Sequence, residues 1–441
     1  MIELEDVQQG IINLPFRRWV QGNASWAAHG HDLFLRATGQ TTETRQAAFA
    51  ELLEARRAIS DDSLITIALS ATGLLRFGVN PGLVALLPEE FVEGAHTRGQ
   101  LLDDPPLQEW DKELREPNWD VLVMHLAPKR AEFNSSRKWI DEICSSASWT
   151  HHCQPTTTSA RPEPFGVRDG ISNPTLRGSG QVLTSGHGVP DPLGKDGWRE
   201  LAAGEVVFGY PNEEGLFPGA TAAREIVANG SFLVWRKIQH HDDAFERLAT
   251  SVAEQLKLPW EQGKREEVLS TIFGRDSKGV PGGLPTKTND FTYRNGGTQV
   301  LANAHIRRSN PRLGENFAGE PFRALTNGHR ILRRGVQYKG GTIFRCYQTN
   351  IENQFEFIQR EWLNSGERFG QGSLRDPIAG NAPRKEDGNL EDSEGGAFQY
   401  GASTDQQVCY QKEVTKVVGS FYGFVPGHRV LDGLARGRWS A

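Results

Sequence analysis

The sequence has few cysteines, and their spacing builds neither a disulfide framework nor a zinc ribbon. No two of its four cysteines, Cys144, Cys153, Cys346 and Cys409, stand in Cys-x-x-Cys spacing. A chain of 441 residues, of which 37% are hydrophobic, can bury a core without covalent cross-links. We therefore expect an ordinary globular protein.

Long apolar runs and an excess of basic residues are also missing. No apolar run reaches the roughly 18 residues that a membrane-spanning helix needs. The first ten residues lack the basic and apolar segments of a signal peptide, which predicts a cytoplasmic location. The formal net charge of −6 gives no reason to expect a nucleic-acid partner. The sequence leaves the oligomeric state open.

Strands and helices alternate without the regular spacing of parallel β-α-β units, which favours an α+β fold. Ile65, Ile67 and Leu69 alternate as in a half-buried strand. Phe245 and Leu248 lie at helical spacing, in a helix that Asp242 or Asp243 would cap. Further strands are predicted at 32–37, 120–127, 205–210, 231–237, 341–347 and 413–425, and further helices at 42–59, 73–77, 130–144 and 351–362.

Two stretches, 175–204 and 259–304, are rich in glycine, proline and polar residues and predict long loops. Loops of that length in a compact domain usually line a site. A strand followed by a helix recurs in the second half of the chain, which indicates two α+β halves of similar size.

The first segment that carries chemistry runs from Asn303 to Arg312 and reads Asn-Ala-His-Ile-Arg-Arg-Ser-Asn-Pro-Arg. Its histidine, His305, follows three apolar residues, and a neutral imidazole is the commonest metal ligand in proteins. Guanidinium groups, which Arg307, Arg308 and Arg312 supply, match the carboxylates of haem propionates. The alternative is a buried histidine beside a solvated basic turn.

The second segment, 164–174, reads Pro-Phe-Gly-Val-Arg-Asp-Gly-Ile-Ser-Asn-Pro. Gly166 and Gly170 bracket Asp169, and glycine permits backbone geometry and close approach that other residues forbid. An acid held in this way could lean over a flat ligand. The alternative is a common Asp-Gly turn.

The third segment, 329–338, contains Arg333 and Arg334 after a short apolar pair. A cation at Arg333 above a metal could stabilise the charge that develops on a breaking O–O bond. The alternative is a surface arginine, and we assign that role to Arg334.

Together these segments resemble the dye-decolorizing peroxidases, which are haem enzymes. Gly166 to Gly170 is similar to the GxxDG signature of that family, 304–312 to its proximal haem segment, and 331–335 to its distal arginine segment. The His-Ile-Arg-Arg form of the proximal segment resembles the larger branch of the family. Shorter likenesses extend the resemblance over nearly the whole chain, at 6–10, 229–234 and 351–360.

The resemblance implies two ferredoxin-like domains with antiparallel sheets. The first, 1–215, would carry the GxxDG motif at its end, and the second, 216–441, would hold haem b. His305 would be the proximal iron ligand, and Arg312 would pair with a propionate. Glu413 is the candidate for the acid that receives the other N–H of the proximal imidazole.

The resemblance also places Asp169 and Arg333 on the distal face of the haem, and Gly166 and Gly170 at the cofactor. Asp169 would take a proton from hydrogen peroxide and return it to the leaving oxygen, while aromatic reductants supply electrons. Because a carboxylate has an unperturbed pKa of about 3.9, such a base stays ionised in mild acid, and we expect an acidic optimum.

Two further readings stay open at this point. A haem carrier with incidental peroxide reactivity needs the same histidine but no acid–base pair above the iron. An α+β binding module without haem would be colourless.

Overall fold

The computed structural model describes most of the chain, with gaps that include Asp169. The described residues are 2–12, 28–57, 63–127, 130–158, 164–167, 170–219, 221–258, 264–291, 293, 300–312, 326–384, 395–401, 403 and 405–439.

The strands, in chain order, are β1 (Ala28–Ala37), β2 (Leu64–Leu69), β3 (Val121–Ala127), β4 (Trp149–Thr158), β5 (Val189–Lys195), β6 (Trp198–Arg199), β7 (Ser231–His240), β8 (Leu332–Arg333), β9 (Val336–Tyr338), β10 (Gly341–Gln348), β11 (Gly396–Gln399), β12 (Gln407–Tyr410) and β13 (Thr415–Val425). The α-helices are α1 (Gln9–Ile12), α2 (Thr42–Arg57), α3 (Ala71–Arg76), α4 (Pro81–Val84), α5 (Glu89–Arg98), α6 (Arg130–Ser145), α7 (Arg224–Val227), α8 (Asp242–Gln255), α9 (Arg265–Phe273), α10 (His305–Ser309) and α11 (His428–Ala435). Two π-helical segments lie at Glu352–Glu356 and Ile358–Leu363, and 3₁₀ segments at Gly99–Leu102, Leu107–Glu109, Lys112–Leu114, Pro164–Gly166, Ala203–Glu205, Thr221–Ala223 and Glu367–Phe369.

Two antiparallel sheets of the same topology form the scaffold. The first has the order β2-β3-β1-β4, and the second has the order β13-β7-β10-β9, with β8 also paired to β10. In chain order within each half, this is the 2-3-1-4 arrangement of a ferredoxin-like fold. The predicted α+β fold with antiparallel sheets is therefore confirmed. The domain boundary at 215 stays a prediction.

The two sheets meet at two narrow seams, so that eight strands form a closed ring of pairings. β13 pairs with β2 at Phe424 and Leu69, and β4 pairs with β9 at Thr157 and Gln337. The side chain of Gln8 spans the first seam, because it bonds backbone groups of β2 and of the residue after β13. These hydrogen bonds connect β2 and β13 where the two strands themselves form few hydrogen bonds with each other.

Alternate side chains of the ring enter different cores. Inward-facing residues such as Phe34, Leu233 and Phe421 belong to one cluster, while Leu35 and Val234 face outward into a cluster shared with the helices. Both faces are buried, which explains why β2 is buried at every position instead of on one face only, as its sequence pattern predicts.

A buried polar link joins the halves inside the ring. The carboxylate of Asp32, which is fully buried on β1, accepts a hydrogen bond of 2.7 Å from the indole of Trp235 on β7 and pairs with the guanidinium of Arg345 on β10. A buried charge needs such partners to offset its desolvation.

Several local predictions were wrong. Residues 205–210 form no strand, because Val206, Val207 and Phe208 turn inward and fill both cores. The cap position of α8 is His241, which makes no capping hydrogen bond through its side chain. The stretch predicted as a long loop at 175–204 contains the β5–β6 hairpin, and α9 lies within the other predicted loop.

Candidate functional site

His305 is the first residue of the short helix α10, and its imidazole contacts a buried carboxylate. Its Nδ1 lies 3.0 Å from Oδ2 of Asp376, whose side chain is completely buried. The edge of the Phe273 ring, at the end of α9, flanks the imidazole with ring centroids 6.4 Å apart. Since Nδ1 is engaged and the His305 side chain is 25% exposed, Nε2 is the nitrogen left for a metal.

Asp376 is held rigidly in the loop that follows the π-helical segments. Its Oδ1 accepts hydrogen bonds of 2.8 Å from the N–H groups of Ile378 and Ala379. Burial by itself would raise the pKa of Asp376, but the His305 imidazole, the nearby Arg308 guanidinium and the Ala379 N–H outweigh it, so that the pKa falls below its ordinary value. The carboxyl group therefore stays an anion that orients the imidazole.

The assignment of Glu413 as the partner of the proximal histidine was wrong. Oε1 of Glu413 accepts a hydrogen bond of 2.9 Å from the N–H of Ala382, and its backbone carbonyl contacts Nδ1 of His241. Glu413 precedes β13 and fastens a neighbouring loop, while Asp376 reaches the imidazole.

Three arginines lie close together as a cationic cluster, of which Arg275 and Arg312 are buried and Arg330 is half-buried. We name Arg275, Arg312 and Arg330 the arginine cluster. Arg275 donates to Oδ1 of Asn289 at 2.5 Å, and Arg312 donates to the carbonyl oxygen of the same asparagine. Both guanidinium groups lie over the ring of Phe291, at 5.3 and 3.9 Å from its centroid.

Among the described residues, no carboxylate forms an ion pair with the cluster, although Asp276, Asp290 and Glu213 each lie near enough to raise the pKa of one of its arginines. Arg330 bonds the side chain of Asn310, and every described hydrogen bond of the three arginines goes to a neutral oxygen atom. Burial, followed by repulsion from Arg312, lowers the pKa of Arg275 and of Arg330 to about 10. The buried Nε atoms of Arg312 and Arg330 have no hydrogen-bond partner there. Such an arrangement is built to receive an anion.

The end of the GxxDG segment reaches both the arginine cluster and Arg333. Oγ of Ser172 lies 3.5 Å from Nη2 of Arg312, and its carbonyl oxygen lies 3.4 Å from Nη2 of Arg333. The N–H of Arg333, on β8, donates to Oδ1 of Asn173 at 2.9 Å. Asn310 also contacts Ser172, so the three sequence segments converge on this serine.

The start of the GxxDG segment is fixed from the proximal side. Phe165 stacks with Phe245, with ring centroids 4.4 Å apart, and its carbonyl oxygen accepts a hydrogen bond from Arg265 on α9. Gly166 and Gly170 have φ angles of +81° and +70°, which glycine alone adopts without strain. Asp169 lies between them, outside the described residues.

Arg334 was wrongly expected at the surface. It is 7% exposed and donates a hydrogen bond of 3.0 Å to the carbonyl oxygen of Ile11. It therefore ties the strand that carries Arg333 to the N-terminal segment.

Sequence reasoning missed Asp376, Arg275 and Arg330. Asp376 stands in a polar, glycine-rich stretch far from His305 along the chain, and no spacing rule connects the two. Arg330 lies in the segment 329–338, which was singled out for Arg333. Arg275 follows Gly274, the glycine that ends α9, and this glycine was the only sequence signal for Arg275.

Within the described residues, no three His, Cys, Asp or Glu side chains group as ligands for a bare metal ion. An iron ion on His305 would therefore need further ligands from a cofactor, and a porphyrin supplies four nitrogen atoms. None of the helices in the described ranges has the length and apolar content that a membrane crossing requires.

Comparison with known proteins agrees with this geometry. The profile of the family described as Dyp-type peroxidase, C-terminal, matches residues 213–371. Peroxidase 2 of Mycetinis scorodonius is 24% identical over 381 residues, which cover 73% of this chain and 68% of that protein. A dye-decolorizing peroxidase of Mycena epipterygia is 25% identical over 350 residues, covering 68% and 61%. A multifunctional dye peroxidase of an Amycolatopsis species is 25% identical over 332 residues, covering 68% and 67%.

Solved structures show the same fold. The crystal structure of a fungal DyP-type peroxidase from Auricularia auricula-judae superposes over 100% of both chains with a TM-score of 0.74 and 17% identity. An ancestral D-type dye-decolorizing peroxidase gives a TM-score of 0.71 at 21% identity, again over 100% of both chains. Residues 213–371 thus match the C-terminal Dyp-type peroxidase family, and the whole chain has the fold of solved dye-decolorizing peroxidases.

Proposed function

We propose that this protein is a haem-dependent peroxidase, which reduces hydrogen peroxide and oxidises dyes, phenols or other aromatic reductants in one-electron steps. The observation that carries the proposal is the His305–Asp376 pair beside the arginine cluster. A histidine oriented by a buried acid is suited to hold iron, and unpaired buried cations beside it are suited to hold carboxylates.

The residues present fit haem b. His305 would bind the iron through Nε2, since Asp376 occupies Nδ1. Arg312 and Arg330 would hold the two propionates, because each has a buried Nε without a described partner. Burial lowers the pKa of all three arginines, and repulsion from Arg312 adds to it at Arg275 and Arg330, so two negative charges would offset both effects.

The chemistry that haem supplies when bound is the two-electron reduction of peroxide to water, balanced by the one-electron oxidation of two reductant molecules. On the proximal side, Asp376 orients the imidazole and increases its basicity as a ligand. On the distal side, Arg333 would stabilise negative charge as it develops.

Asp169 would take a proton from peroxide and return it to the leaving oxygen. Support comes from the GxxDG sequence, from the two positive-φ glycines that bracket it and from the contacts that fix both ends of the segment. Such a carboxylate would stay ionised in mild acid, so the acidic optimum stays a prediction.

The test adds one equivalent of hydrogen peroxide to purified, haem-loaded protein and follows the Soret band. We expect a rapid spectral change in the wild type, and its loss by several orders of magnitude in the double variant Asp169→Ala, Arg333→Leu. Arg247→Leu, on an exposed position of α8, is the matched control and should react as the wild type does. A double variant that reacts at the wild-type rate would refute the distal assignment, and a haem-loaded wild type that never reacts would refute the activity.

The curated relatives compared above are all named peroxidases, so the haem-carrier alternative gains no support from them. The cytoplasmic location stays a prediction.

A further inference from the structure

Arg308 is a fully buried cation one turn of α10 after His305. Its Nη2 donates to the carbonyl oxygen of Leu374 at 2.8 Å and to that of Ser365. Its Cζ lies 5.4 Å from the ring centroid of Phe369. These contacts attach α10 to the loop that carries Asp376 two residues after Leu374.

The burial of this cation is unusual, because it forms no ion pair with any described carboxylate. Its Nε and Nη1 atoms are buried and have no hydrogen-bond partner among the described residues. Burial lowers the pKa of Arg308 to about 10, while the carboxylate of Asp376 opposes that decrease. The side chain therefore stays charged at neutral pH.

The charge of Arg308 acts on the same carboxylate that orients His305. After the His305 imidazole, the Arg308 guanidinium helps to hold the pKa of Asp376 below its ordinary value. In a buried site with little water to screen it, a cation beside the carboxylate weakens the pull of that carboxylate on the Nδ1 proton. Without the cation, the imidazole would become a stronger donor at Nε2 and would favour ferric over ferrous iron.

We propose that Arg308 is a positioning residue that fixes the Asp376 loop and moderates, through its charge, the donor strength of His305. The proposal rests on haem binding at His305. It concerns the electronic balance of the proximal side and is independent of the distal residues that handle peroxide.

The test measures the ferric/ferrous midpoint potential of haem-loaded protein and the iron–histidine stretching band of its ferrous form by resonance Raman spectroscopy. In Arg308→Met we expect a more negative potential and a higher stretching frequency. Arg308→Lys keeps the charge and should stay close to the wild type in both measurements. If Arg308→Met does not fold, Arg308→Gln supplies the same contrast with lysine.

A double-variant cycle tests whether Arg308 acts through Asp376. Asp376→Asn removes the carboxylate charge, and adding Arg308→Met to it should shift the potential much less than Arg308→Met does alone. Unchanged potential and stretching band in Arg308→Met, equal shifts in the methionine and lysine variants, or a full shift in the Asp376→Asn background would each overturn the inference. Both readouts need no peroxide, so a protein that holds haem at His305 but fails to turn over would refute the proposed function and leave this inference standing.

Discussion

The two halves of the ring share one topology but differ in what connects their strands. In the first half, the connections between β1 and β4 form the helices α2 to α6, which cover the outer face with apolar side chains. In the second half, the connection from β7 to β8 carries His305 and the arginine cluster, and the connection from β10 to β13 carries Asp376. The connections thus cover the sheet in the first half, whereas in the second half they carry candidate site residues.

The candidate site residues therefore lie mainly in the connections and not in the sheet. Only Arg333 comes from a strand of the second sheet, and it lies on the short strand β8. The sheets supply rigid ends, and the long connections bring distant residues together over them. Changes in the connections of the second half should therefore affect haem, while comparable changes in the connections between β1 and β4 should leave it unchanged.

The largest expected effect comes from His305→Ala. Loss of the imidazole should abolish haem retention and peroxidase activity, because it removes the proposed protein ligand of the iron. His151→Ala, on the exposed side of β4 in the first half, is the matched control and should keep both. Haem content by absorbance and a dye assay measure the outcome, and a His305→Ala protein with a wild-type Soret band would contradict the comparison.

The pair Asp376→Asn and Glu413→Gln tests the corrected partner of the proximal histidine. Loss of a group that orients a metal ligand typically costs roughly 10–100-fold in affinity or activity. We expect that loss for Asp376→Asn in haem affinity and in the rate with peroxide. Glu413→Gln, which keeps an acceptor for the N–H of Ala382, should stay within a factor of about two. The reverse order of effects would restore Glu413 as the partner.

The wrong assignment of Glu413 shows which residues of the candidate site can be predicted from sequence patterns and which cannot. His305, Arg312 and Arg333 were predicted because each lies in a short segment of recognisable composition, and the structure brings those segments together at Ser172. Asp376 was missed because its relation to His305 exists only after folding. The prediction chose Glu413, an acid next to a strand, whereas Asp376, the acid that contacts His305, lies in a loop.

The fold was predictable to a similar extent. Alternating and helical patterns located most strands and helices, since local periodicity reflects burial on one face. The ring closure was not predictable, because its seams consist of single residue pairs such as Phe424 with Leu69. The run 205–210 has the composition of a strand, and only the two neighbouring cores explain why it turns inward.

The folded protein should lose stability as pH rises, because Glu205 is buried. Burial raises the pKa of Glu205 to about 7, from an ordinary value of 4.5. The protonated form is favoured in the folded state, so its contribution to stability is fully present below about 4.5 and is lost as pH rises through 7. The loss is at most roughly 3 kcal/mol.

Urea unfolding at several pH values measures this contribution. Glu205→Gln should flatten the pH dependence between pH 4.5 and 7, while Glu51→Gln, at an exposed position of α2, should leave it unchanged. An unchanged pH dependence in Glu205→Gln would show that the buried carboxyl group of Glu205 does not titrate between pH 4.5 and 7.

The smallest effect is expected from a matched pair of glycine substitutions. Gly94, in α5, and Gly166 have φ angles of +75° and +81°. Among the described residues, an added Cβ would meet nothing within 4 Å at Gly94 and only Arg265, at 3.5 Å, at Gly166. Each alanine variant should lose about 1–2 kcal/mol of stability from backbone strain. Only Gly166→Ala should also slow the reaction with peroxide, because only Gly166 lies in the segment that carries Asp169. Equal rates of reaction with peroxide in both variants would show that this segment does not take part in the reaction.

A crystal structure of the haem-loaded protein tests the central claim most directly. The account predicts iron on Nε2 of His305, with Asp376 still bound to Nδ1 and the propionates at Arg312 and Arg330. Iron on another residue, or propionates that point away from the arginine cluster, would contradict it.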